Sequence, residues 1–142
     1  MAAIWKKSVN LDDINANRKD TLVEHLGIEV VEVGDDYIKA SMPVDKRTHQ
    51  PMGLLHGGAS IALAETMGSI AAYLTVDDGY SCVGLEINGN HMRSVTEGFV
   101  YATARPVHLG RSTQVWDIRI QDEQDRNVCI SRLTMAILSP RK

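Results

Sequence analysis

Apolar residues crowd one stretch of the chain more densely than any other. Between Ala59 and Leu74 they are Ala59, Ile61, Ala62, Leu63, Ala64, Met67, Ile70, Ala71, Ala72 and Leu74, covering nearly every face of a helix. A helix apolar all round is buried, whereas a surface helix keeps a polar face. Outside this stretch the pattern changes to alternation with a period of two, which predicts strands. Ile28 to Val33 and Tyr37 to Pro43 are β-like, and Gly34-Asp35-Asp36 between them predicts a hairpin turn. Asp45 to Leu55 is an irregular loop before the helix, and Asp77-Asp78-Gly79 turns the chain after it. Four strands follow: Ser81 to His91, Phe99 to Val107, Thr113 to Gln121 and Val128 to Leu138. In the third, Gln114, Trp116, Ile118 and Ile120 share a face; in the last, Cys129, Leu133, Met135 and Ile137 do.

Leu11 to His25 predicts two short helices, divided at Asn15-Ala16-Asn17-Arg18. Asn10 can cap the first, Thr21 opens the second, and Gly27 can end it in a left-handed conformation. Short links among the last four strands require antiparallel pairing, because parallel pairing needs long crossovers. The expected fold is α+β, a curved antiparallel β-sheet wrapped around one long central helix. It forms a single domain over residues 1–142, with residues 1–27 as an N-terminal helical extension. A helix of about 16 residues spans roughly 24 Å. One sheet covers only part of such a helix, so a second copy of the chain is expected to cover the rest.

Composition narrows the setting. The 142 residues are 44% hydrophobic and 23% charged, as in an ordinary globular domain large enough for a real core. A net charge of −3 supplies no basic field for nucleic acid or an anionic membrane. No apolar run reaches the ~18 residues of a membrane span, because Glu65 and Gly68 interrupt the central one. Met1 to Lys7 carries two lysines with no apolar stretch behind them, which argues against a secretory signal. Cys82 and Cys129 lie far apart with no C-x-x-C spacing, so reduced, packed side chains in a cytoplasmic protein are expected.

One residue contradicts the apolar pattern. Glu65 lies near the middle of the helix, where burial of an unpaired carboxylate is costly. It is an exposed side chain, half of a buried ion pair, or a carboxylate kept for chemistry with its basicity raised by desolvation. Ser69, at i+4, shares its helix face and can hydrogen-bond a substrate or water beside it; alone it could be a small packing residue. At the helix start, His56-Gly57-Gly58 offers unpaired amides and the positive end of the helix dipole. Gly57 lets a ligand approach the backbone, as needed to polarise a carbonyl and hold a developing oxyanion. A glycine turn that merely enters the helix is the alternative.

Spacing then sets a condition. Gly57 and Glu65 are eight residues apart, about 12 Å along one helix axis. A reacting carbonyl must sit about 3 Å from attacker and oxyanion donor alike. One helix cannot meet both distances. Two antiparallel helices at a twofold axis can, and they would make two identical sites.

The same residues resemble a known family. Gln50-Pro51, Leu54-Leu55-His56-Gly57-Gly58-Ala59-Ser60 and Ala64-Glu65-Thr66-Met67-Gly68-Ser69 are similar to the hotdog-fold acyl-CoA thioesterases. The branch they most resemble is that of the glutamate-using 4-hydroxybenzoyl-CoA thioesterases and the enterobactin- and menaquinone-pathway thioesterases. The likeness runs on through Ile4-Trp5-Lys6, Met42 to Asp45, Val83 to Asn88, His91 to Ser94, His108 to Arg111, Gln114 to Trp116 and Ser131 to Thr134. It implies a hotdog fold and hydrolysis of acyl-CoA thioesters, aromatic ones such as benzoyl-type or 1,4-dihydroxy-2-naphthoyl-CoA. It further implies no metal or redox cofactor, and a dimer or dimer of dimers with sites shared between chains. Glu65 would attack the thioester or activate water, with Ser69 beside it. The Gly57 amide would polarise the carbonyl, while Gln50 and His56 would arrange the thioester and the departing thiolate. For the nucleotide end of coenzyme A the candidates are His91, Arg93 and Ser94, then Gly110, Arg111 and Ser112, with Arg132 a further cation. Planar guanidinium groups suit phosphate, although each of these arginines singly could be a solvated surface residue.

Other chemistries lack their residues. There is no Gly-x-Ser-x-Gly elbow, no Gly-x-x-x-x-Gly-Lys or Gly-x-Gly-x-x-Gly phosphate loop, and no zinc-like cluster of Cys, His and carboxylates. His25, His49 and His108 lack metal-ligand spacing. A hotdog dehydratase is the nearest rival enzyme, but its Asp followed by His is missing. A non-catalytic acyl-CoA sensor of the same fold is the reading from another class. Against it stands Glu65, since a pure binder has no need of a buried carboxylate.

Overall fold

The computed structural model describes residues 2–141. Two short helices, α1 (Leu11–Ala16) and α2 (Leu22–His25), precede the hairpin of β1 (Glu29–Val33) and β2 (Ile38–Pro43). The long helix α3 (Gly57–Leu74) follows, then β3 (Ser81–His91), β4 (Phe99–Leu109), β5 (Thr113–Gln121) and β6 (Asn127–Leu138). The six strands form one antiparallel sheet in the order β1-β2-β4-β5-β6-β3. Its inner face carries the alternating residues: Ala40 and Met42, Val100 and Ala102, Trp116 and Ile118, Leu133 and Met135, all buried. Leu63, Ala64, Met67 and Ala71 of α3 pack onto them. Small residues on both layers let the helix lie close to the sheet. At Gly68 even one methyl group would collide with Cδ2 of Leu133.

Helix α3 runs for 18 residues rather than about 16, starting at Gly57 with His56 as its N-cap: Nδ1 accepts from the Gly58 amide at 2.8 Å. Within one chain the helix is covered only in part, as expected of a single sheet. The sheet takes one side of it, while Ala62, Glu65, Thr66 and Ser69 are half-buried and Tyr73 is exposed. Smaller shifts follow from local pairing. β4 runs on to Leu109 past a bulge at Pro106/His108, and Asn15 and Ala16 belong to α1 instead of dividing the two short helices.

The N-terminal residues pack against the β1–β2 turn and the C-terminal end of α3. Trp5 stacks on Trp116 with ring centroids 6.4 Å apart and donates from Nε1 to the Gly34 carbonyl at 2.6 Å. Lys7 donates to the carbonyls of Tyr73 and Val76, at 2.9 and 2.5 Å, placing a cation on the negative end of α3.

The two edges of the sheet are treated differently. At β1, the Asn15 side chain pairs with the strand as a peptide group would. Its Nδ2 donates to the Val30 carbonyl at 3.0 Å, and Oδ1 accepts from the Val30 amide at 2.9 Å. Arg18 adds a bond to the Ile28 carbonyl at 2.7 Å. Such covering is how proteins blunt an exposed strand edge. At β3, 11 residues long, β6 holds one side and the other side is left open, with Val83 and Leu85 48% and 60% exposed. Among the described residues no helix is long and apolar enough to cross a membrane.

Candidate active site

The loop before α3 is tied down at several points. Buried Thr48 donates from Oγ1 to the Pro43 carbonyl at 2.8 Å, and its own carbonyl receives the His56 amide at 2.7 Å. His49 lies with Nε2 2.9 Å from the Thr96 carbonyl, which gives it a structural role in the loop. Asp45 is bridged by Arg47, whose side-chain and backbone bonds hold the carboxyl at about 2, below its usual range. Gln50 closes the tight turn ahead: its amide donates to the Leu54 carbonyl at 2.8 Å, and its side-chain oxygen accepts from the Met52 amide. Gly53, at φ +78, supplies the left-handed residue that this turn requires. With its oxygen so engaged, the Gln50 side chain keeps its NH2 as a donor in the loop that leads into α3.

At the helix start the geometry separates two neighbouring amides. The Gly58 N–H is satisfied by His56, whereas the Gly57 N–H meets no acceptor among the described residues. Because His56 Nδ1 accepts a backbone proton, the neutral ring carries its own proton on Nε2 and turns a donor outward. His91, expected with Arg93 and Ser94 at the nucleotide end, stands beside this amide. A Cβ on Gly57 would lie 3.0 Å from its Nε2. The Gly57 amide, His56 and the ring of His91 thus gather at one end of the helix, with Gln50 in the loop just before it.

Glu65 sits two turns further along, on the open stripe of α3. Its carboxylate rests against Gly84 of β3 and lines a cleft of about 720 Å³. Ser69 lines the same cleft, its Oγ 3.8 Å from the Met135 sulfur. Among the described residues no cation pairs with Glu65, so the ion-pair reading finds no partner. The opposite wall was not foreseen from the sequence: it is the N-terminal extension, with Ile14, Asn15 and Val23 facing the cleft. No local signal marks those residues, because the wall forms by contact with distant β1.

The two candidate nucleotide-binding groups occupy opposite ends of α3. Arg93 and Ser94 follow β3 near the Gly57 end, where Leu55 N–H donates to the Val95 carbonyl at 2.8 Å. Gly110, Arg111 and Ser112 form the β4–β5 turn, and the first two line a hollow with Thr75, Val76 and Asp77 past the helix's other end. An 18-residue helix separates them by about 27 Å. Arg132 faces Asp117 at 3.8 Å instead of standing free. Both cysteines are free thiols, their pKa values raised by burial. Among the described residues no three His, Cys, Asp or Glu side chains converge to hold a metal ion.

A six-stranded antiparallel sheet around one long helix, with glycines at the helix start and a carboxylate on its open stripe, has close counterparts. Residues 52–129 match the thioesterase superfamily, and the chain belongs to it. The proofreading thioesterase EntH of Cronobacter turicensis is 56% identical over 135 residues, covering 95% of this chain and 98% of its own. Among solved structures, thioesterase HI1161 of Haemophilus influenzae is 48% identical with a TM-score of 0.96, covering 98% of this chain and 97% of that one. A mutant of thioesterase PA1618 of Pseudomonas aeruginosa is 50% identical with a TM-score of 0.94, covering 96% and 99%. The fold is thus the hotdog expected from the resemblance, and the chain is a thioesterase.

Proposed function

We propose that this thioesterase hydrolyses acyl-CoA thioesters with aromatic or medium-sized acyl groups, using Glu65 as the catalytic carboxylate. The observation that carries this is Glu65 itself, a carboxylate without a cationic partner among the described residues, lining a largely apolar cleft. The carbonyl oxygen would take the free Gly57 amide, whose strength as a donor grows as negative charge develops on that oxygen. Glu65 would then act in one of two ways. It attacks the carbonyl carbon, expels coenzyme A as thiolate and leaves a mixed anhydride that water opens. Alternatively it takes a proton from water, and the hydroxide attacks directly. In both, the thiolate departs near the donors of Gln50 and His56, and the products are free acid and coenzyme A. Nothing beyond water and these side chains is needed.

A second chain belongs to this reading. About 12 Å along one helix is too far for Gly57 and Glu65 to serve one carbonyl. The open β3 edge supports pairing with a second β3, which would bring two antiparallel α3 helices together and let each site draw on both chains. Arg93 and Ser94 of one chain and Arg111 and Ser112 of the other could then hold one nucleotide, in a dimer or dimer of dimers. The free thiols fit a cytoplasmic setting. The test is a panel of acyl-CoA thioesters with a thiol-detecting dye, ranked by kcat/KM. Release of thiol that scales with enzyme and vanishes in Glu65→Ala supports the reading. Tight binding without thiol release would make the chain an acyl-CoA sensor.

A further inference from the structure

We infer that the N-terminal extension is the wall that sets acyl-group size, with Ile14 and Val23 as specificity-determining residues. This rests on the reading of Glu65 as the catalytic carboxylate. The cleft has Glu65 and Ser69 on its α3 side and Ile14, Val23 and Ile28 opposite. A thioester held with its carbonyl carbon about 3 Å from Glu65 has two branches to place. The coenzyme A branch is long, charged and hydrated. The acyl branch is apolar, and the cleft beside the carboxylate is the apolar space it can enter. A volume of about 720 Å³ lies well inside the range of ~300–1,000 Å³ that holds drug-sized ligands. The substrate class this favours is a medium-length chain or a one- or two-ring acyl group; an acetyl group would leave the far wall untouched.

The wall is less deeply packed than the α3 side. Helix α1 has six residues and no fully buried side chain. It is held over the cleft by the paired bonds from Asn15 to Val30, and the chain after it by Arg18 to Ile28. Ile14 and Val23 are only partly buried against the core, so their inner surfaces remain available to an acyl group. A change of size at either position alters the far end of the cleft and leaves the reacting atoms where they are.

The experiment compares kcat/KM for butyryl-, octanoyl-, lauroyl- and benzoyl-CoA in the full chain, in Ile14→Trp and in Ile14→Ala. Differences of one or two methylenes in an apolar pocket change kcat/KM by about tenfold or more. Filling the wall with Ile14→Trp should lower the lauroyl-to-butyryl ratio at least tenfold, and Ile14→Ala should raise it. Ratios unchanged in both variants, with an active parent, overturn the inference and leave Glu65 untouched. If Ile14→Trp does not fold, Ile14→Ala and Val23→Ala decide, and unchanged ratios in both overturn it equally. A parent chain that cleaves none of the four removes the reading of the site, and this inference with it.

Discussion

Gly84 underlies Glu65: a Cβ on this β3 residue would lie 2.8 Å from Oε2 of the carboxylate. The strand is irregular just there, between Gly84 and Glu86. A bulge beside a reactive group commonly re-aims what rests on it. The atom in the way is the end of a flexible side chain, so Gly84→Ala should leave the fold intact while pushing the carboxylate aside. Displacement of a reacting group by an ångström can cost about 100-fold. We expect kcat to fall roughly 10- to 100-fold with little change in thermal stability, measured by single-turnover assay and thermal melts.

Replacement of Glu65 tests the carboxylate directly. General-base or nucleophilic participation is worth about 10²–10⁴-fold. Glu65→Gln should lower kcat within or beyond that range while circular dichroism stays unchanged. Near-parental turnover in this variant would sink the assignment.

Sharing of sites between chains predicts rescue in mixed oligomers. Glu65→Ala chains and chains carrying both Gln50→Ala and His56→Ala should each be inactive alone. Refolded together, they should regain part of the parental rate, since some sites then hold one intact half from each chain. Mixed oligomers shown by mass spectrometry to form, yet without activity, would count against the shared site.

Asn15→Ala removes the two side-chain bonds to Val30 and leaves that strand edge unpaired. Breaking a partly buried pair of this kind costs about 1–3 kcal/mol, or roughly 3–10 °C in a domain of this size. The melting temperature should fall by that amount. KM for long-chain thioesters should rise more than kcat falls, because the acyl wall loosens while Glu65 stays in place.

The Asp45–Arg47 clamp gives a pH prediction for the loop that carries Gln50. Its carboxyl is held at about 2 in the folded chain, against an ordinary value near 4. A depressed folded value contributes stability that is present above the ordinary one and lost as pH falls toward about 2. The loop should therefore be insensitive to pH above about 4.5 and loosen only below it. Carboxyl NMR titration of Asp45 checks this, and an ordinary midpoint would disprove the clamp.

Much of this fold was legible in the sequence because its cause is periodic. The alternation of Trp116, Ile118 and Ile120, or of Leu133 and Met135, depends only on which face of a strand is buried. The helix at Ala59–Leu74 announced itself by apolar density, and Glu65 by breaking it. That His56 caps this helix through its own ring was not legible, since it looks in sequence like any other histidine. What escaped reading was set by distant contacts. Asn15 posing as a strand partner for Val30, Gly84 lying beneath Glu65, and His91 beside Gly57 all depend on how separate elements dock. No local pattern records such docking. Likewise, nothing in the sequence records that the segments carrying Arg93 and Arg111 lie at opposite ends of α3 within one chain.

The unequal edges of the sheet bear on self-association. A strand with free amides and carbonyls on both flanks invites endless stacking, chain upon chain. Here Asn15 acts as a stopper on one flank. Pairing through β3 would use up the adhesive side of both partners at once, leaving no open strand edge for a further chain to add to. Removal of the stopper would then do more than soften a cleft: it would open a route to filaments.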